Sequence, residues 1–210
     1  MSRPDLKRTL SLPFPNSRRG KSRQRLSSLV RQSHIFASLV RQILETKFLQ
    51  EVAAHPLTLS QFQLLKLIAL NGNHQIGEVA GFLGVSPPAA TKNIDKLERL
   101  GLITRHPSKG DRRATLLSAS TKGRRLVEQY ESVKAERLTP VFEGFSAKDI
   151  DQLTDLMERF SLSLLEREDP GRGMCLLCSA YCQQECSVGR VRGGCPYERL
   201  RHAHSKEGLS

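Results

Sequence analysis

The chain contains no tryptophan, and aromatic residues make up 5% of its 210 positions. Its interior is therefore expected to be aliphatic and helical, because the large rings that fill tightly packed sandwiches are scarce. No apolar run approaches the roughly 20 residues needed to span a bilayer, and the N-terminus lacks the apolar centre of a secretory signal. The expected location is the cytoplasm, with no membrane partner. Nucleotide-binding fingerprints are missing as well. Gly20-Lys21-Ser22 has the ending of a phosphate-binding loop, but Pro15 stands where its first glycine should be and no strand precedes it. No nucleophile and base occur in a convincing constellation, so an enzyme is not expected. Cysteine is absent before Cys175.

Acidic residues are the minority charge: 33 Lys and Arg face 21 Asp and Glu, for a formal net charge of +12. Such a balance favours a polyanionic partner, with nucleic acid ahead of an anionic membrane surface. The basic residues are densest at the start. Arg3, Lys7, Arg8, Arg18, Arg19, Lys21, Arg23 and Arg25 stand against the single acid Asp5. Residues 1–25 hold too few apolar side chains to offset the entropy of ordering, and a disordered basic arm is expected there.

From about residue 27 to 54, Leu29, Ile35, Phe36, Leu39, Val40, Ile43, Leu44, Phe48 and Val52 recur at spacings of three and four. This predicts one long helix stopped by His55-Pro56, with a stripe wide enough to pack against a second copy of the chain. Thr58 and Gln61 have the spacing of a capping box for a helix ending at Asn71-Gly72. A shorter helix is expected over 76–83, stopped by Gly84. Residues 86–101, SPPAATKNIDKLERLG, then form the segment that gives the rest its meaning. Ser86 suits an N-cap and Pro87 a first turn. Ala90, Ile94, Leu97 and Leu100 share one face, and Gly101 suits the end. The remaining circumference offers Thr91, Lys92, Asp95, Lys96 and Arg99. Two short helices joined through Gly84-Val85-Ser86 make a helix-turn-helix, whose second helix can read a major groove. Candidate DNA-facing residues on it are Ser86, Ala89, Thr91, Lys92, Lys96 and Arg99.

Residues 102–105 and 114–118 alternate as strands do, and the link between them carries Lys109, Gly110, Asp111, Arg112 and Arg113. A hairpin with this basic tip can lay an arginine in a minor groove. Beyond it, a helix from Thr121 is expected to be interrupted by Pro140. A capping box at Ser146 and Asp149 opens a last helix with Ile150, Leu153, Leu156, Met157, Phe160, Leu164 and Leu165 on its buried side. Asp169-Pro170-Gly171 ends the pattern.

Residues 58–123, and above all the run GLITRHPSKGDRRATLLSASTKG, resemble the winged helix-turn-helix of MarR-type transcriptional regulators. At Ala119-Ser120-Thr121 the chain departs from the Leu-Thr usual in that family, and Ser120 is the expected helix cap. The resemblance implies an obligate homodimer on a pseudo-palindromic double-stranded operator. It implies the 86–100 helix in the major groove, Arg113 in the minor groove and Asp111 orienting that arginine, while Lys109 and Arg112 of the basic tip are further DNA-facing candidates. It also allows a small-molecule effector between the wing domain and the dimer helices. The expected fold is mainly α with a small β-wing. Its parts are a basic arm (1–25), a dimerisation helix (26–57), the winged helix-turn-helix (58–120), further dimerisation helices (121–169) and a cysteine-rich tail (170–210).

In that tail, Cys175, Cys178, Cys182 and Cys186 are followed by Cys195-Pro196. The first four share a stripe on an unbroken helix, but its ends would lie about 16 Å apart, too far for one metal centre. Common ligation therefore requires the chain to fold back. Close-spaced thiolates with a remote Cys-Pro point to an iron–sulfur cluster held by four of the five, although the spacings match no standard ferredoxin run. Zinc on four thiolates is the main rival, a thiol–disulfide switch the third reading, and plain packing remains open. His202 and His204 could substitute as ligands. The whole suggests a homodimeric DNA-binding regulator whose cysteine site senses redox state, oxygen, nitric oxide or iron. The alternative is a small-molecule-responsive regulator of the same fold with structural zinc.

Overall fold

The computed structural model describes residues 18–168, apart from 73, 84 and 109–114, together with residue 188. The chain divides into two compact units, one reaching to Leu44 and one from Glu45 onward. No helix among the described residues is long and apolar enough to cross a membrane.

The first unit is helix α1, Arg18–Leu39, and the start of the π-helical stretch Val40–Lys47. Helix α1 begins earlier than its apolar pattern suggests and takes in residues 18–25, assigned from sequence to a disordered arm. Arg, Lys, Gln and Leu are good helix formers, and one early glycine does not outweigh them. Leu26, Leu29, Val30, Ile35, Phe36 and Leu39 lie exposed along it. The uninterrupted α-helix expected over 27–54 is instead broken by the wider π-helical turns, followed by the short helix α2, Phe48–Val52. Ala53 ends α2 in an extended conformation, shortly before His55-Pro56.

The second unit is built around α3, Leu59–Asn71. Its capping box forms as the Thr58–Gln61 spacing predicts, with Gln61 N donating to Thr58 Oγ1 at 3.3 Å and Thr58 N donating to Gln61 Oε1 at 3.1 Å. Phe62, Leu64, Leu65, Leu67 and Ile68 are all buried, and so are Gln63 and Lys66. A helix covered on every side is the core of its domain. Around it follow β1 (His74–Gln75), α4 (Ile76–Leu83), α5 (Pro87–Arg99), β2 (Ile103–Pro107) and β3 (Thr115–Ala119). The strands form an antiparallel sheet in the order β1-β3-β2. Ile103 pairs with Ala119 and Pro107 with Thr115, while His74 pairs with Leu117. Strands β2 and β3 sit one or two residues later than their alternation suggests, and the two-residue β1 has no pattern of its own.

Helix α6, Thr121–Phe142, runs through Pro140 instead of being interrupted by it. Proline removes one N–H, and the bond from Glu143 N to Thr139 O at 3.1 Å still closes the last turn. Helix α7, Ala147–Arg167, opens with the Ser146–Asp149 capping box. Of the α7 residues expected to be buried, only Leu165 is buried within the single chain. Leu153, Leu156, Met157, Phe160 and Leu164 are exposed. The apolar stripe exists as predicted, but apart from Leu165 no described part of the chain buries it.

Three contacts brace α6. Lys66 Nζ lies 2.6 Å from Glu131 Oε1, and Lys134 pairs with the other oxygen of that carboxylate. The rings of Phe62 and Tyr130 meet at a centroid distance of 4.6 Å. Arg137 reaches Glu51 at 2.8 Å, tying α6 to α2. Burial would push the Glu131 carboxyl up, but the hydrogen bonds and charges of Lys134 and Lys66 outweigh it and hold the group below the usual carboxylate range. Burial, reinforced by Glu131 and Glu45, pushes the Tyr130 phenol up to about 12, so it stays neutral at physiological pH.

Candidate nucleic-acid interface

Helix α5 is amphipathic, with its two faces serving different purposes. Ala90, Ile94 and Leu97 are completely buried on one side. Ser86, Pro87, Pro88, Ala89, Lys92 and Arg99 are exposed, and Thr91 and Lys96 are half-buried at the margin. At 3.6 residues per turn, positions 88, 89, 92, 96 and 99 fall on the face opposite the buried one. Of the DNA-facing candidates named from sequence, Ala89, Lys92, Lys96 and Arg99 lie on that face, Ser86 precedes the helix, and Thr91 stands at the other margin.

Ser86 occupies the N-cap position in an extended conformation, but its side chain makes no capping bond. Pro87 and Pro88 have no N–H to donate, which leaves Ala89 N as the first donor of the helix, and the first intrahelical bond is Ala90 N to Ser86 O at 3.0 Å. Thr91 Oγ1 donates to Pro87 O at 3.0 Å, which fixes its rotamer and leaves its lone pairs and methyl group to the surface. Gln61 Nε2 donates to Asn93 Oδ1 at 3.4 Å, tying α5 to α3.

The far end of α5 is anchored more heavily. Gly101 adopts φ +69°, the left-handed conformation that glycine tolerates at a helix end. Ser120 Oγ donates to Gly101 O at 2.7 Å and accepts from Gly123 N at 3.0 Å, so the expected cap of α6 also holds the end of α5. Lys122 Nζ donates to Leu100 O at 2.9 Å, and Arg124 Nη1 donates to Ala119 O. Two cations of the basic first turn of α6 are therefore structural ties, at the negative end of the α5 dipole and at the end of β3. Sequence reasoning gave these cations no such use. It also missed Arg105 of β2, whose guanidinium bridges Asp95 and Glu98 of α5. No local pattern marks Arg105, because its partners lie on the helix before it.

In the wing, His106 Nε2 and Ser118 Oγ lie 2.6 Å apart, and Thr104 Oγ1 donates to Ser118 O at 3.5 Å. The described ladder ends at the Pro107–Thr115 pair. The tip candidates Lys109, Asp111, Arg112 and Arg113 lie outside the described residues, as do Cys175, Cys178, Cys182, Cys186 and Cys195. Among the described residues, no group of three or more His, Cys, Asp or Glu could hold a metal.

A cleft of about 480 Å³ opens beside Leu100 at the C-terminal end of α5. Its lining includes His55, Leu57, Leu102, Lys122, Arg125 and Leu126, so it touches both the turn after α2 and the first turns of α6.

Residues 57–115 match the MarR family. Similar solved structures include a MarR family transcription regulator, with a TM-score of 0.61 and 13% identity over 72% of this chain and 97% of that one. The YusO protein from Bacillus subtilis gives a TM-score of 0.55 and 18% identity over 67% of this chain and 96% of that one. Wild-type MarR from E. coli in its apo form gives 0.51 and 23% over 63% and 95%. This likeness, together with the helix order and three-stranded sheet, gives the chain the MarR-type winged-helix fold.

Proposed function

We propose that this winged-helix chain is a sequence-specific DNA-binding transcriptional regulator that acts as a homodimer. The observation that carries the reading is the α5 surface: Ala89, Lys92 and Arg99 are exposed, with Lys96 at the margin, on a helix whose opposite side is buried and whose middle and C-terminal end are tied to α3 and α6. Short, rigidly held and basic, such a helix suits a major groove. The wing tip follows by resemblance, with Arg113 entering the minor groove, Asp111 orienting it, and Lys109 and Arg112 lying against phosphates. The exposed apolar faces of α1 and α7 support dimerisation, since monomeric proteins rarely leave stripes of that length open. Two copies place two reading helices on half-sites about 34 Å apart. The test is selection from a pool of randomised duplexes by the full-length protein. An inverted repeat with half-sites one helical turn apart is expected, and a pool that gains no common sequence contradicts the reading.

The cysteine tail supplies the signal in this account. Four of Cys175, Cys178, Cys182, Cys186 and Cys195 hold an iron–sulfur cluster, and its gain or loss under changing oxygen, nitric oxide, redox state or iron alters how the dimer helices pack. A coupling of about 1–3 kcal/mol between the tail and the operator changes affinity roughly 5- to 150-fold. Support comes from the sequence: clustered thiols appended directly after the last dimer helix. Anaerobic purification should give a brown protein with broad absorption near roughly 400 nm and bound iron and sulfide, as expected for thiolate-held clusters. Replacing Cys175, Cys178 and Cys182 with serine should remove both the colour and the response of operator affinity to oxygen. A colourless protein containing zinc would make the tail structural. The cleft beside Lys122 and Arg125 would then become the sensor for a small molecule. That second reading is favoured by the cleft's position, since Lys122 both lines it and caps the reading helix.

A further inference from the structure

Helix α5 presents cations to its outer face, yet two carboxylates, those of Asp95 and Glu98, project from its flank. Asp95 follows Lys92 by three residues and precedes Arg99 by four, the two spacings at which opposite charges on a helix meet. Left to itself, Asp95 would draw both DNA-facing cations into pairs along the helix. It would also set negative charge beside the approaching phosphates. The structure resolves this conflict from outside the helix. Arg105 Nη2 binds Asp95 Oδ1, and Arg105 Nη1 binds Glu98 Oε2 at 2.6 Å. The Arg105 side chain is less exposed than that of either acid, 28% accessible against 43% for Asp95 and 38% for Glu98. Its backbone is fixed, because Arg105 pairs with the fully buried Leu117 in the middle of the β2–β3 ladder.

We infer that Arg105 is a positioning residue for DNA reading. By holding Asp95 and Glu98 against β2, it withdraws their charge from the groove and keeps Lys92 and Arg99 available for DNA. The planar fork of arginine is essential, since its two terminal nitrogens engage two carboxylates one helical turn apart. A lysine ammonium concentrates its charge at one point and would serve one acid well and the other poorly. The inference rests on α5 being the reading helix, and it assigns no DNA contact to Arg105 itself.

The experiment compares full-length protein carrying Arg105→Ala, Arg105→Lys, the pair Asp95→Asn and Glu98→Gln, and each Arg105 change in that neutral pair. Affinity is measured for the selected inverted-repeat duplex across a salt series, with thermal unfolding as a control. Arg105→Ala should weaken binding about tenfold, and Arg105→Lys by less, because two freed carboxylates then repel phosphate and sequester its partners. In the neutral pair, either change at Arg105 should cost less than about twofold. Any loss of thermal stability, in contrast, should persist in that background, which separates positioning from mere support of the fold. Should Arg105→Ala fail to fold, Arg105→Lys carries the same comparison. An equal affinity loss in both backgrounds, or none in either, overturns the assignment. Failure of the underlying reading is distinct, because then wild-type protein selects no duplex and Lys92→Ala changes nothing.

Discussion

Replacing Gly123 with alanine will leave the protein largely unfolded or sharply destabilised, although the change adds one methyl group in a helix. A Cβ there would stand 2.1 Å from Leu102 O, 3.0 Å from Leu102 C and 3.0 Å from Leu65 Cδ1. The first two atoms are backbone and cannot swing away. Leu102 is itself buried, and its carbonyl accepts the bond from Ser120 N at 3.0 Å. Relief would therefore require α6 to retreat from the start of β2. That movement would break the Ser120 and Lys122 ties to the end of α5 as well. The expected cost is about 3 kcal/mol or more, the upper end for overpacking, against the roughly 5–15 kcal/mol that holds an ordinary domain together. Urea denaturation followed by circular dichroism reads it as a lowered midpoint. A midpoint equal to that of wild type would mean that the close approach of α6 to Leu102 does not exist in solution.

The second large effect is expected on DNA. Lys92 and Arg99 lie one above the other on the exposed face of α5, and neither belongs to the buried framework. Alanine at either should leave the unfolding midpoint within about 0.5 kcal/mol of wild type, as surface changes do. Affinity for the selected duplex should fall by about 1–3 kcal/mol for each side chain that reaches a base edge, with relaxed preference at the matching position. A side chain that reaches only phosphate would instead weaken all duplexes alike and reduce the salt slope by about 1. The two patterns are separable in one salt titration on two sequences.

The residues that were legible from sequence are those whose reasons are local. Thr58–Gln61 and Ser146–Asp149 are capping boxes because a side chain and a backbone N–H three residues apart meet at any helix start. Gly101 and the span of α5 follow from equally short rules. Ser86 takes the N-cap position its residue type suggests, but without the side-chain bond its oxygen could accept. The elements that escaped notice depend on partners distant in sequence. Strand β1 exists because Leu116 and Leu117 lie ready to pair with Gln75 and His74. Asp95 looked like ordinary polar circumference until β2 brought Arg105 beside it. Gly123 fits a familiar helix-start pattern, but the need for glycine comes from Leu102, whose carbonyl leaves no room for a Cβ. The stripe on α7 was visible as a pattern, whereas its exposure among the described residues was not, because a pattern does not say which surface faces it.

Reading of DNA by α5 is tested most directly by measuring the affinity of wild-type protein and the Lys92→Ala, Arg99→Ala double variant for the selected duplex and for a scrambled one of equal length and composition. Wild type should prefer the selected duplex by several orders of magnitude, and the double variant should lose most of that preference while remaining folded and dimeric. If the double variant keeps the full preference, or if wild type binds both duplexes equally, α5 is not the element that reads the sequence.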